Sequence, residues 1–276
     1  MPELPEVEAT RRLLEPAMSG VRIAGVQVRR AGLRRPFPPD FSARLVGATV
    51  SSVGRRAKYL MLELSSGETL VMHLGMSGHF RVDTPFAADA VTSPPGAHDH
   101  VVFEMASGAI VTFNDPRRFG VMELLADDER SGHKTLSGLG PEPLSRAFSA
   151  ATLARACRAR TVPLKVALLD QRVVAGLGNI YAVEALHRAS LSPFRRASML
   201  ATPTGRPRPT AVRLAAAIKR VLTKAIVRQT RVAYRGDGFR VYEQEGASCP
   251  TKGCRGVIAR AQQAGRSTYW CPACQR

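Results

Sequence analysis

The carboxyl-terminal stretch CPTKGCRGVIARAQQAGRSTYWCPAC, residues 249–274, holds four of the chain's five cysteines. Cys249 and Cys254 form a Cys-x4-Cys pair, and after sixteen intervening residues Cys271 and Cys274 form a Cys-x2-Cys pair. Two close cysteine pairs separated by the length of a hairpin are typical of a small ribbon that binds tetrahedral Zn²⁺ through four thiolates. Since sulfur fills all four positions, we expect a structural metal that takes no part in catalysis.

The residues between the cysteine pairs predict a basic β-hairpin. The two expected strands are Val257-Ile258 and Tyr269-Trp270. The arginines between the pairs suit contacts with phosphate or a DNA groove: Arg255, Arg260 and Arg266. A basic turn that is merely solvated is the alternative.

Upstream of the ribbon, the apolar residues recur at helical spacing. This pattern predicts helices over 149–159, 163–171, 179–189 and 210–229, and a Pro/Gly/Arg loop over 201–209.

The amino-terminal half reads instead as strands separated by glycine turns. A helix is expected over 5–18, with Pro5 in its first turn, and a loop over 84–96. The predicted strands are 21–30, 49–55, 59–64, 69–74, 100–105 and 109–113. The predicted fold class is therefore α+β, with an antiparallel β-sandwich or barrel behind an N-terminal helix.

Composition points to a polyanionic partner. The chain has 276 residues, 45% of them hydrophobic, and a net charge of +18. Such an excess favours nucleic acid, although an arginine-rich surface that reflects genomic composition is the alternative. No apolar run reaches the roughly 18–20 residues of a membrane span, and MPELPEVEATRR does not resemble a signal peptide. We therefore expect a cytosolic protein.

The N-terminus is a second candidate site. Removal of Met1 would expose the secondary amine of Pro2, and an α-amino group, with a pKa of about 7.7–8, is partly unprotonated at neutral pH. Attack on a sugar C1′ would yield an iminium, which suits a base-excising lyase. Glu3 and Glu6 lie within one helical turn and could transfer protons. An ordinary helix start with acidic first-turn residues is the alternative.

Eight motifs in order resemble the formamidopyrimidine-DNA glycosylase family, the bacterial enzymes that repair oxidised purines. Leu4 is typical of this branch, whereas the sister oxidised-pyrimidine enzymes usually have glycine there. The motifs are MPELPEVE (1–8), AKYL (57–60), HLGMSG (73–78), HDH (98–100), NDPRRFG (114–120), LGPEPL (139–144), GLGNIY (176–181) and the four-cysteine tail.

The resemblance implies a catalytic set. Pro2 corresponds to the family's nucleophile and Glu3 to its proton donor for glycosidic cleavage, with Glu6 supporting this network. Lys58 corresponds to the lysine assigned to proton transfer in β-elimination. Arg266 corresponds to the arginine assigned to δ-elimination and to a phosphate near the lesion.

The resemblance also implies DNA contacts. Met76, Arg117 and Phe119 correspond to the residues that fill the gap left by a flipped-out nucleotide, with Arg117 facing the orphaned base and preferring cytosine. Without the resemblance, Met76 and Phe119 would be read as ordinary core residues.

Three further residues match positions that contact DNA in the family. They are His98, Arg160 and Asn179, the last of which opens a helix where backbone N–H groups can hold a phosphate. A structural histidine and a plain N-cap are the alternatives for His98 and Asn179. The spacing of His98 and His100 also fits metal ligands, but no constellation of carboxylates or cysteines surrounds them in the sequence.

The resemblance thus implies a three-part organisation: a β-sandwich catalytic domain over 1–132, a helix–two-turns–helix bundle over 133–229, and a linker with a four-cysteine zinc ribbon over 230–276. The implied activity is a monomeric glycosylase and apurinic/apyrimidinic lyase that acts on double-stranded DNA. It would carry one structural Zn²⁺ and no organic cofactor. A sister oxidised-pyrimidine glycosylase and a non-catalytic damaged-DNA-binding protein are the alternatives.

One region departs from the family. The segment from Thr230 to Cys249 is shorter than the base-capping loop of many members. We therefore expect formamidopyrimidine and abasic DNA to be processed efficiently, with a reduced advantage for 8-oxoguanine.

Overall fold

The computed structural model describes residues 1–84, 96–229 and 238–276. They fall into two units, Met1–Ser137 and Gly138–Arg276. Most of the predicted 84–96 loop, and most of the shortened Thr230–Phe239 segment, lie outside the described residues. The predicted three-part division of the chain remains a prediction.

The N-terminal unit begins with a helix and continues mainly as strands. Its helices are α1 (Leu4–Met18), α2 (Phe41–Leu45) and α3 (Asp127–Gly132). Its strands are β1 (Ile23–Val28), β2 (Val50–Arg56), β3 (Tyr59–Leu64), β4 (Glu68–His73), β5 (His79–Asp83), β6 (Asp99–Met105), β7 (Ile110–Asn114) and β8 (Val121–Ala126).

Two antiparallel four-stranded sheets share one core, as the sequence predicts. One sheet has the order β1-β6-β7-β5 and the other β2-β3-β4-β8. Phe103 and Phe113 from the first sheet and Leu60 and Leu62 from the second are almost fully buried in the same cluster. Alternating side chains of each strand supply this core. Strands β5 and β8 were absent from the sequence prediction.

The C-terminal unit contains the remaining helices and the two strands of the ribbon. Its elements are α4 (Ala150–Cys157), α5 (Leu164–Leu169), α6 (Asn179–Arg188), a short 3₁₀ helix (Ala197–Leu200), α7 (Pro209–Gln229), β9 (Ala259–Gln263) and β10 (Arg266–Trp270). Tyr181 and Phe148 are the largest apolar side chains in its core. The apolar face of α7, including Leu214 and Ile218, packs into this core, as its periodicity indicates.

The first ribbon strand differs from the prediction. It begins at Ala259, not at Val257-Ile258. Val257 forms an isolated bridge with Ser248 instead. In the parts of the chain that the structure describes, no helix is both long and apolar enough to cross a bilayer.

Candidate active site and metal centre

The start of α1 fixes the N-terminal acidic pair. Glu3 is the N-cap residue and is buried, and Pro2 directly before it is half-buried. The Glu3 backbone N–H donates to Oε2 of Glu6 over 2.8 Å. This bond satisfies the N–H group of the N-cap residue, as one half of a capping box does. The Glu6 carboxylate therefore has the structural role of the alternative interpretation, and Glu3 lies next to Pro2 at the start of α1.

The turn between β2 and β3 carries Lys58, which is buried. Ala57 adopts a left-handed conformation there, with φ of 53°. The guanidinium of Arg55 donates to the Ala57 carbonyl over 2.9 Å and to Oε2 of Glu8 over 3.2 Å. Burial raises the pKa of Glu8, but hydrogen bonds from neighbouring arginines outweigh this and lower it. The charged Glu8 thus anchors the Lys58 turn to α1.

Two loops present the three residues predicted to fill the DNA gap. Met76 lies between β4 and β5, and Arg117 and Phe119 lie between β7 and β8. Met76 and Phe119 are each 42% exposed, so neither belongs to the core. The Arg117 guanidinium carbon lies 4.9 Å from the centroid of the Phe119 ring, a cation–π distance. Apolar side chains of this size in solvent suit a wedge better than a packing role.

These two loops touch through their backbones. A Cβ atom on Gly75 would lie 2.4 Å from the carbonyl carbon of Phe119, and Gly75 has a φ of 63°. Only glycine allows both the conformation and this approach. The Gly75 N–H also donates to Nδ1 of His73 over 3.0 Å. Burial, followed by the charges of Lys58 and Arg34, lowers the pKa of His73 to about 4.

Sequence reasoning did not single out Asp115. Its carboxylate is fully buried and accepts N–H groups from Gly120 over 2.8 Å and from Arg117 over 3.3 Å. Asp115 therefore shapes the loop that carries Arg117 and Phe119. An acidic residue directly before a proline at a strand end was the available signal, since such residues often organise turns.

His98 and His100 lie in different environments. His98 is exposed, whereas His100 is buried and its Nε2 bonds the Asp115 carbonyl over 2.9 Å. Within the described ranges, no cluster of three or more metal-ligating side chains includes either histidine. His100 therefore has a structural role, and DNA contact by His98 remains a prediction.

The second unit brings Asn179 and the Arg266 hairpin together. Asn179 is the first residue of α6, and its Nδ2 donates to the carbonyl of Ser267 over 3.0 Å. Its Oδ1 is buried and has no hydrogen-bond partner among the residues that the structure describes. Arg266, one residue before Ser267, is exposed. The two predicted DNA contacts are therefore neighbours.

Lys165 was missed by the sequence reasoning. It is fully buried, and its Nζ donates to the Ser267 carbonyl over 3.4 Å. Burial lowers the pKa of Lys165 to about 8, and the charge of Arg266 acts in the same direction. The signal was a lysine among the apolar residues Leu164, Ala167 and Leu168, where an ordinary surface lysine is not expected.

Arg160 is held in an ion pair. Its guanidinium donates to Oδ2 of Asp170 over 2.8 Å and to the Ala156 carbonyl over 2.9 Å. Hydrogen bonds from Arg172, together with the charge of Arg160, lower the pKa of Asp170 to about 2. The position of Arg160 is thus fixed by the protein, and its contact with DNA remains a prediction.

The four ribbon cysteines form one cluster. Their sulfur atoms all lie within 4.8 Å of one another. The Sγ–Sγ distances are 3.7 Å for Cys249–Cys274 and 3.6 Å for Cys254–Cys271. Tetrahedral Zn²⁺ with ligands at about 2.3 Å requires sulfur separations of roughly 3.8 Å. The cluster can therefore hold a metal ion, whereas Cys157 is buried elsewhere and burial raises its pKa to about 11.

Comparison with solved structures identifies the class of protein. The chain is similar to Lactococcus lactis formamidopyrimidine-DNA glycosylase non-covalently bound to DNA with an abasic site, with a TM-score of 0.85, 31% identity and 99% of each chain covered. A complex of that enzyme with DNA containing N7-benzyl-Fapy-dG matches with a TM-score of 0.85, 30% identity and 100% of each chain covered. The fold and the site define a DNA glycosylase of base excision repair.

The sequence comparisons identify the family. Residues 1–122 match the formamidopyrimidine-DNA glycosylase N-terminal domain, and residues 139–234 match the H2TH domain of the same family. Formamidopyrimidine-DNA glycosylases of Rhodopseudomonas palustris (strain BisB18) and Afipia carboxidovorans are 55% and 53% identical, each over 100% of both chains. The chain belongs to the formamidopyrimidine-DNA glycosylase family, and the prediction from the eight motifs is confirmed.

Proposed function

We propose that this protein is a bifunctional glycosylase and apurinic/apyrimidinic lyase that uses the amine of Pro2 as its nucleophile. The observation that carries the proposal is the burial of Glu3 directly beside Pro2, at a helix start that the bond from the Glu3 backbone N–H to Glu6 holds in place. A proton donor and a nucleophile at adjacent positions suit displacement of a base from its sugar. Removal of Met1 is a requirement of this chemistry, since an amide nitrogen cannot attack.

The reaction begins with attack of the Pro2 lone pair on C1′ of the damaged nucleotide. The glycosidic electrons leave with the base, and Glu3 supplies the proton that assists this step. Loss of the Pro2 proton and opening of the sugar ring leave an iminium, the Schiff base. Lys58 transfers a proton in the following β-elimination, Glu6 supports the network, and Arg266 assists δ-elimination.

Recognition depends on extrusion of the damaged nucleotide. Met76 and Phe119 replace part of the lost stacking, and Arg117 faces the orphaned base, which is preferably cytosine. His98, Arg160, Asn179 and Arg266 bind phosphates and position the duplex.

The substrates that we propose are double-stranded DNA with formamidopyrimidines, abasic sites and 8-oxoguanine opposite cytosine. In support, solved structures of the Lactococcus lactis enzyme contain DNA with an abasic site, Fapy-dG and an oxidised pyrimidine. The enzyme acts as a monomer in the bacterial cytoplasm, associated with the nucleoid.

The metal of the four-cysteine cluster is proposed to be one Zn²⁺. The paired sulfur distances near 3.7 Å support this choice, since four thiolates suit zinc. When bound, zinc would crosslink the ribbon through the four cysteines. It would carry no reactive water, because sulfur fills all four positions. The hairpin residues Arg260 and Arg266 then keep a fixed position for DNA.

The test is borohydride trapping on a duplex with an abasic site. Three proteins are compared: the wild type with Met1 removal verified by intact mass, Pro2→Gly, and a chain with an N-terminal extension that leaves Pro2 as an amide. We expect a full covalent complex for the wild type, a reduced one for Pro2→Gly, whose glycine keeps a primary amine, and none for the extended chain. A full complex from the extended chain would exclude Pro2 as the nucleophile.

The same assay separates the enzyme from a non-catalytic damage-binding protein. Each protein is also tested for binding to a duplex with a reduced, uncleavable abasic analogue. We expect the extended chain to retain measurable binding while it loses trapping. Wild-type protein that binds damaged duplex but neither traps nor cleaves it would contradict the proposed activity.

A further inference from the structure

Helix α6 contacts the C-terminal segment of the chain through two buried side chains one turn apart. Glu184 accepts the backbone N–H groups of Arg240, Val241 and Tyr242 over 2.8–3.0 Å. His187, three residues later on the same face, is 2% exposed. The Glu184 contacts explain how the chain after α7 is held. The Glu184 contacts do not explain why His187 is buried beside the metal centre.

The imidazole of His187 lies between an arginine and the cysteine cluster. Its Nε2 is 3.4 Å from Sγ of Cys249 and 3.3 Å from Oγ1 of Thr251. On the other side of the ring, Nε of Arg240 donates to Nδ1 over 3.3 Å.

Arg240 determines the tautomer of this ring. A guanidinium has only donor groups, so Nδ1 must act as the acceptor and carry no proton. The single ring proton of the neutral imidazole is then on Nε2, which faces the sulfur. The Nε2–Sγ distance of 3.4 Å suits an N–H···S hydrogen bond, because sulfur is larger than oxygen and accepts at longer range. Arg240 is itself fixed by its backbone bond to Glu184 and by donation to the Pro250 carbonyl over 3.1 Å.

We propose that His187 is a positioning residue of the metal centre, whose Nε2–H donates a hydrogen bond to the Cys249 thiolate. This inference rests on the proposed Zn²⁺ and adds a residue outside the four ligands. A hydrogen bond to a metal-bound thiolate fixes its orientation and withdraws negative charge from the sulfur, and loss of such outer contacts typically weakens metal binding. His187 thereby connects α6, which begins at the DNA-binding candidate Asn179, with the integrity of the ribbon.

The experiment compares full-length variants loaded with metal. His187→Phe keeps an aromatic ring but removes the donor, and His187→Gln restores an amide N–H at similar reach. His79→Phe, at an exposed position of β5 in the other unit, is the matched control. Metal affinity is measured by competition with a chromophoric chelator, and the sulfur is probed by the thiolate-to-metal charge-transfer band of the Co²⁺-substituted protein.

We expect His187→Phe to bind Zn²⁺ about 10–100-fold more weakly than the wild type. Its Co²⁺ charge-transfer band should move to longer wavelength, because a thiolate without its hydrogen bond donates electrons more readily. His187→Gln should recover most of the affinity and the band position, and His79→Phe should match the wild type.

Three outcomes would overturn the inference. The first is a His187→Phe protein with wild-type affinity and band position. The second is equal weakening in the Phe and Gln variants with an unmoved band, which would indicate packing alone. The third concerns an additional variant, Thr251→Val. If its Co²⁺ charge-transfer band moves and that of His187→Phe does not, the hydrogen-bond donor to the sulfur is Thr251.

Failure of the metal proposal is distinguishable from these outcomes. Elemental analysis of purified wild-type protein should give one zinc per chain. Protein that folds and repairs DNA without bound zinc would overturn the metal centre and with it the role of His187. Full zinc content with any of the three outcomes above would overturn the role of His187 alone.

Discussion

The hydroxyl of Ser77 donates a 2.6 Å hydrogen bond to the buried carboxylate of Asp115. This contact joins the loop of Met76 to the loop of Arg117 and Phe119. The same carboxylate accepts the Gly120 N–H over 2.8 Å. One buried acid thus holds together all three side chains that we propose to enter the DNA.

Asp115→Ala should impair damage recognition more than Ser77→Ala. Asp115→Ala leaves the buried Gly120 N–H without its acceptor, which costs about 1–3 kcal/mol, and releases the β7–β8 loop. Ser77→Ala removes only one of the bonds to a carboxylate that keeps its backbone donors. Urea unfolding and binding to an abasic-analogue duplex measure the two effects. Equal affinities for the two variants would contradict this ranking.

Glu3→Gln should block base release more severely than cleavage of a preformed abasic site. Only the first step needs proton donation to the leaving base. The backbone N–H at position 3 can still donate to Glu6, so the start of α1 should survive. Single-turnover assays on formamidopyrimidine and abasic duplexes measure the two steps, with circular dichroism as the check on folding. A similar loss on both substrates would point to a binding defect instead.

The fold was predictable where the hydrophobic pattern is regular. The 59–64 strand is found at its predicted bounds, and the helix predicted over 210–229 extends from Pro209 to Gln229. Strand β5, HFRVD, was missed because it is short and has only two apolar residues. Its place in the sheet comes from long-range pairing with β7, which no local pattern contains.

The candidate site was predictable as a set of motifs but not as a set of contacts. Pro2, the cysteines and the NDPRRFG loop follow from chemistry or from resemblance. The Ser77–Asp115 bond and the contact between His187 and Cys249 join residues 38 and 62 positions apart. Only the tertiary structure brings such pairs together. Lys165 was missed because lysine is assigned to the surface by default.

Acidification should destabilise the protein in part through His73. Its pKa falls from an ordinary 6.5 to about 4 on folding, so below pH 6.5 the unfolded chain binds a proton that the folded chain does not. Stability is then lost as the pH falls from about 6.5 towards 4, by about 2 kcal/mol at pH 5. The measurement is the free energy of unfolding at pH 7.5 and 5.

His73→Asn is the control for this pH dependence. The asparagine oxygen can replace Nδ1 as the acceptor for the Gly75 N–H, and the side chain does not titrate. The loss of stability between the two pH values should therefore be smaller in His73→Asn than in the wild type. The same loss in both proteins would assign the effect to other groups.

DNA affinity should fall steeply with salt. If six or more phosphates are neutralised, the slope of log affinity against log salt should be about −5 or steeper. Fluorescence anisotropy with an abasic-analogue duplex over a range of salt concentrations gives the slope. A shallow slope, near about −2, would mean that most of the +18 charge lies on surfaces that do not touch DNA.

The lesion preference should reflect the short segment Thr230–Phe239, whose residues 230–237 lie outside the described structure. 8-Oxoguanine differs from guanine mainly at its N7 proton and C8 oxygen, and a pocket distinguishes them only by placing partners at those atoms. With fewer residues available to close over the base, those partners are harder to supply. Formamidopyrimidines depend less on capping, because an opened imidazole ring stacks more weakly and eases extrusion.

We therefore expect efficient cleavage of formamidopyrimidine and abasic duplexes, with 8-oxoguanine opposite cytosine cut at a smaller advantage. Single-turnover rates on duplexes of identical sequence, each with one lesion, measure the ranking. An undamaged guanine duplex is the control for non-specific cleavage. If 8-oxoguanine is released fastest by a wide margin, either the short segment is sufficient for capping or recognition of the C8 oxygen depends on other residues, and the expectation from loop length is wrong.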